Sequence, residues 1–81
     1  MLAEILEKYP DEEFLSADGF NNAILGVEEK SMRLIYSIAK CIEILMEDMS
    51  EEEAFEYFDY NVSGAYMGEK TPIWCDDILN F

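Results

Sequence analysis

The tetrad Ser50-Glu51-Glu52-Glu53 constrains this chain more tightly than any other stretch. A Ser followed three residues later by Glu is a capping box, in which the hydroxyl and the carboxylate each accept an orphan backbone N–H of the other residue. The three carboxylates also occupy a first helical turn, where the macrodipole favours negative charge. A helix is therefore expected over 51–62, with Ala54, Phe55, Phe58 and Val62 as its buried stripe and Glu52, Glu56 and Asp59 outward. Upstream, Ile38, Cys41, Ile42, Leu45, Met46 and Met49 recur at steps of three and four, which predicts a second amphipathic helix over 38–48. Ser37 is its N-cap. Lys40 at its start and acids at its end run against the macrodipole preference, at a cost of about 0.3–1 kcal/mol when exposed. The two helices meet at a short turn near Asp48 to Ser50.

The remaining elements follow from breakers and alternation. Leu2, Ile5 and Leu6 mark a short helix over 2–8, ended by Tyr9-Pro10. Asp11 to Phe14 reads as a further turn, and Asp18-Gly19 and Asn21-Asn22 are turn signals. Residues 23–27 and 32–36 read as two strands, the second with Met32, Leu34 and Tyr36 on one face; Glu28 to Ser31 joins them as a hairpin. Thr71-Pro72-Ile73-Trp74 is extended around Pro72, and Trp74 seals one end of the core. Gly64 and Gly68 compete as the end of the last helix. The expected fold is a small α+β domain over residues 1–81, a two-stranded β-hairpin (23–36) packed by three helices. The alternative is an all-α fold in which 20–36 is helical too.

Charge narrows the function. Residues 1–40 carry eight acids and four bases (net −4) and residues 41–81 eleven acids and one base (net −10), which sum to −14 in 81 residues. Since 51% of the residues are apolar, the chain has the means to collapse and is no disordered acidic tail. Free nucleic acid and acidic membrane leaflets are repelled by such a surface. The first residues interleave acids with apolar side chains, unlike a signal peptide, so a cytoplasmic setting, of a cell or of a virus-infected cell, is expected. Cys41 in its apolar stripe reads as a buried thiol, and nothing in the pattern demands a bridge to Cys75.

Chemistry-bearing patterns are sparse. There is no histidine to act as a proton shuttle or to complete a zinc site with two cysteines, and the serines lack a nucleophile elbow. The acids Asp18, Glu28, Glu29, Asp76 and Asp77 are the candidates for a carboxylate pair, but among nineteen acids some pair always meets the spacing. Asp11-Glu12-Glu13 and Asp76-Asp77 hold cations by charge alone, without calcium-loop spacing. No cofactor is expected. What stands out is surface: Glu43, Glu47, Glu51, Glu52, Glu56 and Asp59 form a run across the helix junction. At helical spacing such carboxylates sit about 6 Å apart and repel by roughly 0.2–0.5 kcal/mol per i,i+4 pair. Phosphates along a nucleic-acid strand are spaced on the same order. The net charge exceeds the magnitude of about 2–8 that solubility asks of a small domain. A basic protein surface, such as that of a nucleic-acid-binding protein, is therefore the expected partner. Tyr57 and Tyr60, beside these acids, are candidate interface anchors, and together with Tyr66 they are too many for so small a core. A homodimer closing over the tyrosine edge is also open.

Four stretches carry a resemblance: Asp18 to Gly26, Lys40 to Leu45, Met49 to Phe58, and Asn61-Val62-x-Gly64-Ala65-Tyr66-x-Gly68-Glu69-x-Thr71-Pro72. Together they resemble a family of short, acidic, uncharacterised proteins of bacterial viruses and prophages, over most of residues 18–72. Ser37 and Asn21-Asn22 depart from that family's pattern. The resemblance implies a viral accessory role in the host cell cytoplasm and carries no catalytic or binding residue with it. The expected function is thus a non-enzymatic accessory protein that binds a host or viral protein through its acidic, tyrosine-bearing face, as a nucleic-acid mimic. Two alternatives stay open, a structural or assembly protein acting by self-association and a small carboxylate- or metal-dependent enzyme.

Overall fold

A computed structural model describes residues 1–79. Helix α1 (Leu2–Lys8) buries Ile5 and is followed by a turn at Pro10 and Asp11, which Glu12 N–H closes on Tyr9 O. The chain then runs irregularly to Asp18-Gly19, so Asp11 to Phe14 adds no helical turn. Gly19 turns with φ +88°, a conformation that costs a side chain little only when the side chain is absent. Strands β1 (Ile24–Glu28) and β2 (Arg33–Ser37) pair antiparallel as the expected hairpin, with a bulge between Ile24 and Gly26 that leaves Leu25 exposed. β2 runs directly into α2 (Ile38–Leu45); α3 (Glu51–Tyr57) continues as a π-turn (Phe58–Val62). The domain is α+β, with the hairpin flanked by three helices.

The extended stretch after Pro72 does more than close an end. Its residues Ile73–Cys75 form β3, which pairs parallel with β2 and makes β2 the centre of a three-stranded sheet in the order β1-β2-β3. Leu34 and Tyr36, two apart on β2, both point into the core and are fully buried, as period-two alternation requires. The Tyr36 hydroxyl accepts the Ala17 N–H at 2.7 Å, so the ring is buried without an orphan oxygen. Trp74 lies beside Tyr36 in register, 5.0 Å between centroids, and takes Phe58 edge-on at 5.3 Å. Those three rings join the sheet to the end of α3.

Several boundaries differ from expectation, each for a local reason. Met32 is not a strand residue on the Leu34 face: it sits in the hairpin turn with φ +54°. Glu28 locks that turn, accepting the N–H groups of Lys30 and Ser31 and the Ser31 hydroxyl. These bonds, the Lys30 N–H foremost, hold the Glu28 carboxyl below its usual range. Lys70 Nζ donates to the carbonyls of Ser31 and Met32 and pairs with Glu12, and Arg33 Nε donates to Thr71 O. Helix α2 ends at Leu45 rather than 48, tightening into i→i−3 bonds from Glu47 and Asp48; two acids beside the negative helix end disfavour another turn.

Of the two glycines that compete to close α3, Gly64 is the one that follows the π-turn. A Cβ there would lie 2.9 Å from Asp59 O. Gly68 turns the next loop with φ +96°. Phe55 does not join the buried stripe: Ala54 and Phe58 face the core, and Phe55, about 100° round the helix from Ala54, is 36% exposed. No helix among the described residues is long and apolar enough to cross a membrane.

Candidate partner-binding surface

Helix α3 is positioned by its own first turn. Ser50 Oγ accepts Glu53 N–H and Glu53 Oε1 accepts Ser50 N–H, both at 3.2 Å. Hydrogen bonding to Ser50, through its side chain first and its backbone second, holds the Glu53 carboxyl below the usual range. Helix α2 is positioned from farther away. Ser37 Oγ accepts Lys40 N–H as N-cap and donates to Asp77 Oδ2, while Asp77 Oδ1 accepts Ala39 N–H at 2.9 Å. The acid missing from the start of α2 in the sequence thus arrives from the far end of the chain. The Ser37 hydroxyl foremost, then the Ala39 N–H, holds the Asp77 carboxyl low.

All six carboxylates of the candidate face, Glu43, Glu47, Glu51, Glu52, Glu56 and Asp59, are exposed. None is in an ion pair among the described residues, where the pairs are Lys70 with Glu12 and the N-terminal ammonium with Glu4. They do not gather at one point. Glu56 joins Tyr57 and Tyr60 around a shallow depression of about 330 Å³, with Glu53 and Asn61. Glu43 and Glu51 line a second hollow, with Met46, Phe55 and Ile78. Asp59 borders a third hollow, with Phe55, Phe58 and Asp76. Glu47 and Glu52 line none of these hollows. Tyr60 is 84% exposed and Tyr57 44%, so both rings are available for contact; Tyr66 is exposed as well.

Two contributors escaped the sequence reading. Glu53 closes the capping box and also lines the tyrosine depression. Phe55, expected in the buried stripe, instead forms an apolar step between acidic hollows. Spacing alone does not exclude Phe55, which stands i,i+3 to Phe58 and i,i+7 to Val62; only the packing of α3 through Ala54 and Phe58 turns it outward.

The acids considered for catalysis are dispersed. Glu28 closes the hairpin turn, Asp77 caps α2, and Asp76 Oδ1 accepts Ile78 N–H. Asp18 and Asp76 border different hollows. Among the described residues no group of three metal-ligating side chains comes together. Cys41 is fully buried, and burial first and the Asp77 charge second push its thiol up to about 12. Cys75 is half-buried and also unbridged. Compared with known proteins, the chain matches no protein-family model, no curated protein and no solved structure.

Proposed function

We propose that this chain is a non-enzymatic accessory protein, of the kind that bacterial viruses use, which binds a basic protein surface through the acidic, tyrosine-bearing outside of α2 and α3. The observation that carries the proposal is the set of six exposed carboxylates without an ion-pair partner among the described residues, flanked by exposed Tyr57 and Tyr60. The chain's own bases are committed elsewhere or lie outside this stretch: Lys70 and Arg33 bind backbone carbonyls, and no Lys or Arg occurs between Cys41 and Glu69. A partner's Lys and Arg that normally hold phosphates would supply the missing counter-charges. Reversing Glu52, Glu56 and Asp59 to Lys should abolish capture of the partner from lysate at low salt, and raised salt should weaken capture by the native chain. Capture unchanged by the reversal retires the proposal.

The exposed apolar surface supports a second reading. Met46 (42% exposed) and Phe55 (36%) share a hollow with Ile78, a patch that a second copy could cover. Salt screens the repulsion between two chains of charge −14 and so favours self-association, whereas it weakens an acidic clamp on a basic partner; sedimentation at low and high salt therefore separates the two readings.

A further inference from the structure

Tyr57 and Asn61, one helical step apart, are walls of two neighbouring hollows. On one side lies the acidic depression with Glu53 and Glu56. On the other lies a cleft of about 310 Å³ lined by Ala17, Phe20, Val62, Met67 and Trp74, with Asp18 among its polar residues. We propose that this cleft takes one large apolar side chain of a basic protein segment, whose flanking Lys or Arg pair with Asp18, Glu53 and Glu56. The inference rests on the acidic-face reading and adds to it an anchor and a location.

Size and charge select this occupant. The cleft is at the lower end of the roughly 300–1,000 Å³ of small-molecule sites, which suits a single side chain better than a cofactor. A second copy of the chain or a nucleic acid would bring more negative charge to a molecule already at −14. An apolar residue set among cations meets both halves of the site at once.

Trp74 adds an independent observation. Its Nε1 is a buried side-chain donor without an acceptor among the described residues, and such an orphan is costly. The wall opposite is also unusual: Val62 and Asn61 belong to the π-turn, closed by Ser63 N–H on Phe58 O at 2.9 Å, and turns of this kind recur at functional sites.

Trp74 is the chain's one tryptophan, so under native conditions its emission reports on the cleft wall and on the Tyr36 and Phe58 rings packed against it. The probes are a short Lys/Arg/Ala peptide with one central Phe, the same peptide with Ala in place of Phe, and a Ser-for-Lys/Arg version that keeps the Phe. At low salt the basic Phe peptide should bind about tenfold or more tighter than its Ala counterpart, the gain expected from burying an aromatic side chain, and should shift Trp74 emission. Ala65→Phe, an exposed position lining the cleft, should remove that preference; Met67→Ser is the second variant should the first disturb folding. Equal binding of both basic peptides with unchanged emission overturns the anchor and leaves the acidic face standing. Binding of neither basic peptide overturns both. A neutral Phe peptide that binds as tightly as the basic one overturns the basic occupant.

Discussion

Replacing Asp77 by Ala should destabilise the whole domain, although the residue lies near the end of the chain and outside the core cluster. Its carboxylate accepts the Ser37 hydroxyl and the Ala39 N–H at the start of α2, across 40 and 38 residues of sequence. A hydrogen bond to a charged group contributes about 1.5–3 kcal/mol, and a carboxylate at a helix N-terminus about 0.3–1 kcal/mol more. Because Asp77 is partly open to solvent, screening brings the pair of bonds down to about 1.5–3 kcal/mol in total. Ser37 itself is fully buried, so losing its acceptor leaves a hydroxyl proton unpaired. Against a total stability of about 4–12 kcal/mol for a domain of this size, that is a large fraction. Urea unfolding followed by Trp74 emission should show the midpoint falling by roughly 2 M, with a slope near 1 kcal/mol/M.

The same bonds set a pH dependence. The folded Asp77 pKa is depressed, first by Ser37 and then by Ala39. Its stabilisation is therefore complete above the unfolded value of about 3.9 and is lost as pH falls through the lower folded value. Asp77→Ala should flatten that acid limb. Equal midpoints for variant and native chain at pH 7, or an unchanged acid limb, would refute the tail-to-helix bond as a stabilising contact.

Three other outcomes follow from the packing and charge. Gly64→Ala should cost about 1–3 kcal/mol by overpacking, since its Cβ meets the Asp59 carbonyl at 2.9 Å, backbone that cannot swing aside; thermal unfolding of the variant measures it. Cys41, buried with its thiol raised to about 12, should stay unlabelled by a thiol reagent at pH 8 until denaturant is added; rapid native labelling at that position, located by mass spectrometry, would contradict its burial. Raising ionic strength from about 0.01 to 1 M cuts the Debye length from about 30 to 3 Å. Relief of several like-charge pairs along α2 and α3, together about 1 kcal/mol, should raise Tm by about 4–8 °C.

The acidic surface and its supports have different origins. Like charges on the outside of α3 lower stability, and the cap at Ser50 and the three-ring contact of Tyr36, Trp74 and Phe58 offset that cost by fixing the helix at both ends. The cationic partner proposed above would relieve the same repulsion that salt relieves.

What the residues alone determined is what a few neighbours decide among themselves. The capping box at Ser50, the N-cap at Ser37, the hairpin between Ile24 and Ser37, the turn at Gly19 and the outward carboxylates of α3 all depend on contacts within about one turn or one strand pair. Their signals are correspondingly short: a Ser three residues before a Glu, two alternating runs around a polar turn. What only the tertiary structure decided lies between residues far apart. Ile73–Cys75 becomes a third strand because the edge of β2 is free to accept it, and the cap of α2 is shared with Asp77 because β3 delivers the tail there. The hollows beside Tyr57 combine α3, the π-turn, the loop around Asp18 and Trp74, a meeting that no local pattern encodes. Local geometry is limited by sterics and nearby hydrogen bonds, whereas these junctions exist only once the core around Leu34, Tyr36 and Phe58 has closed.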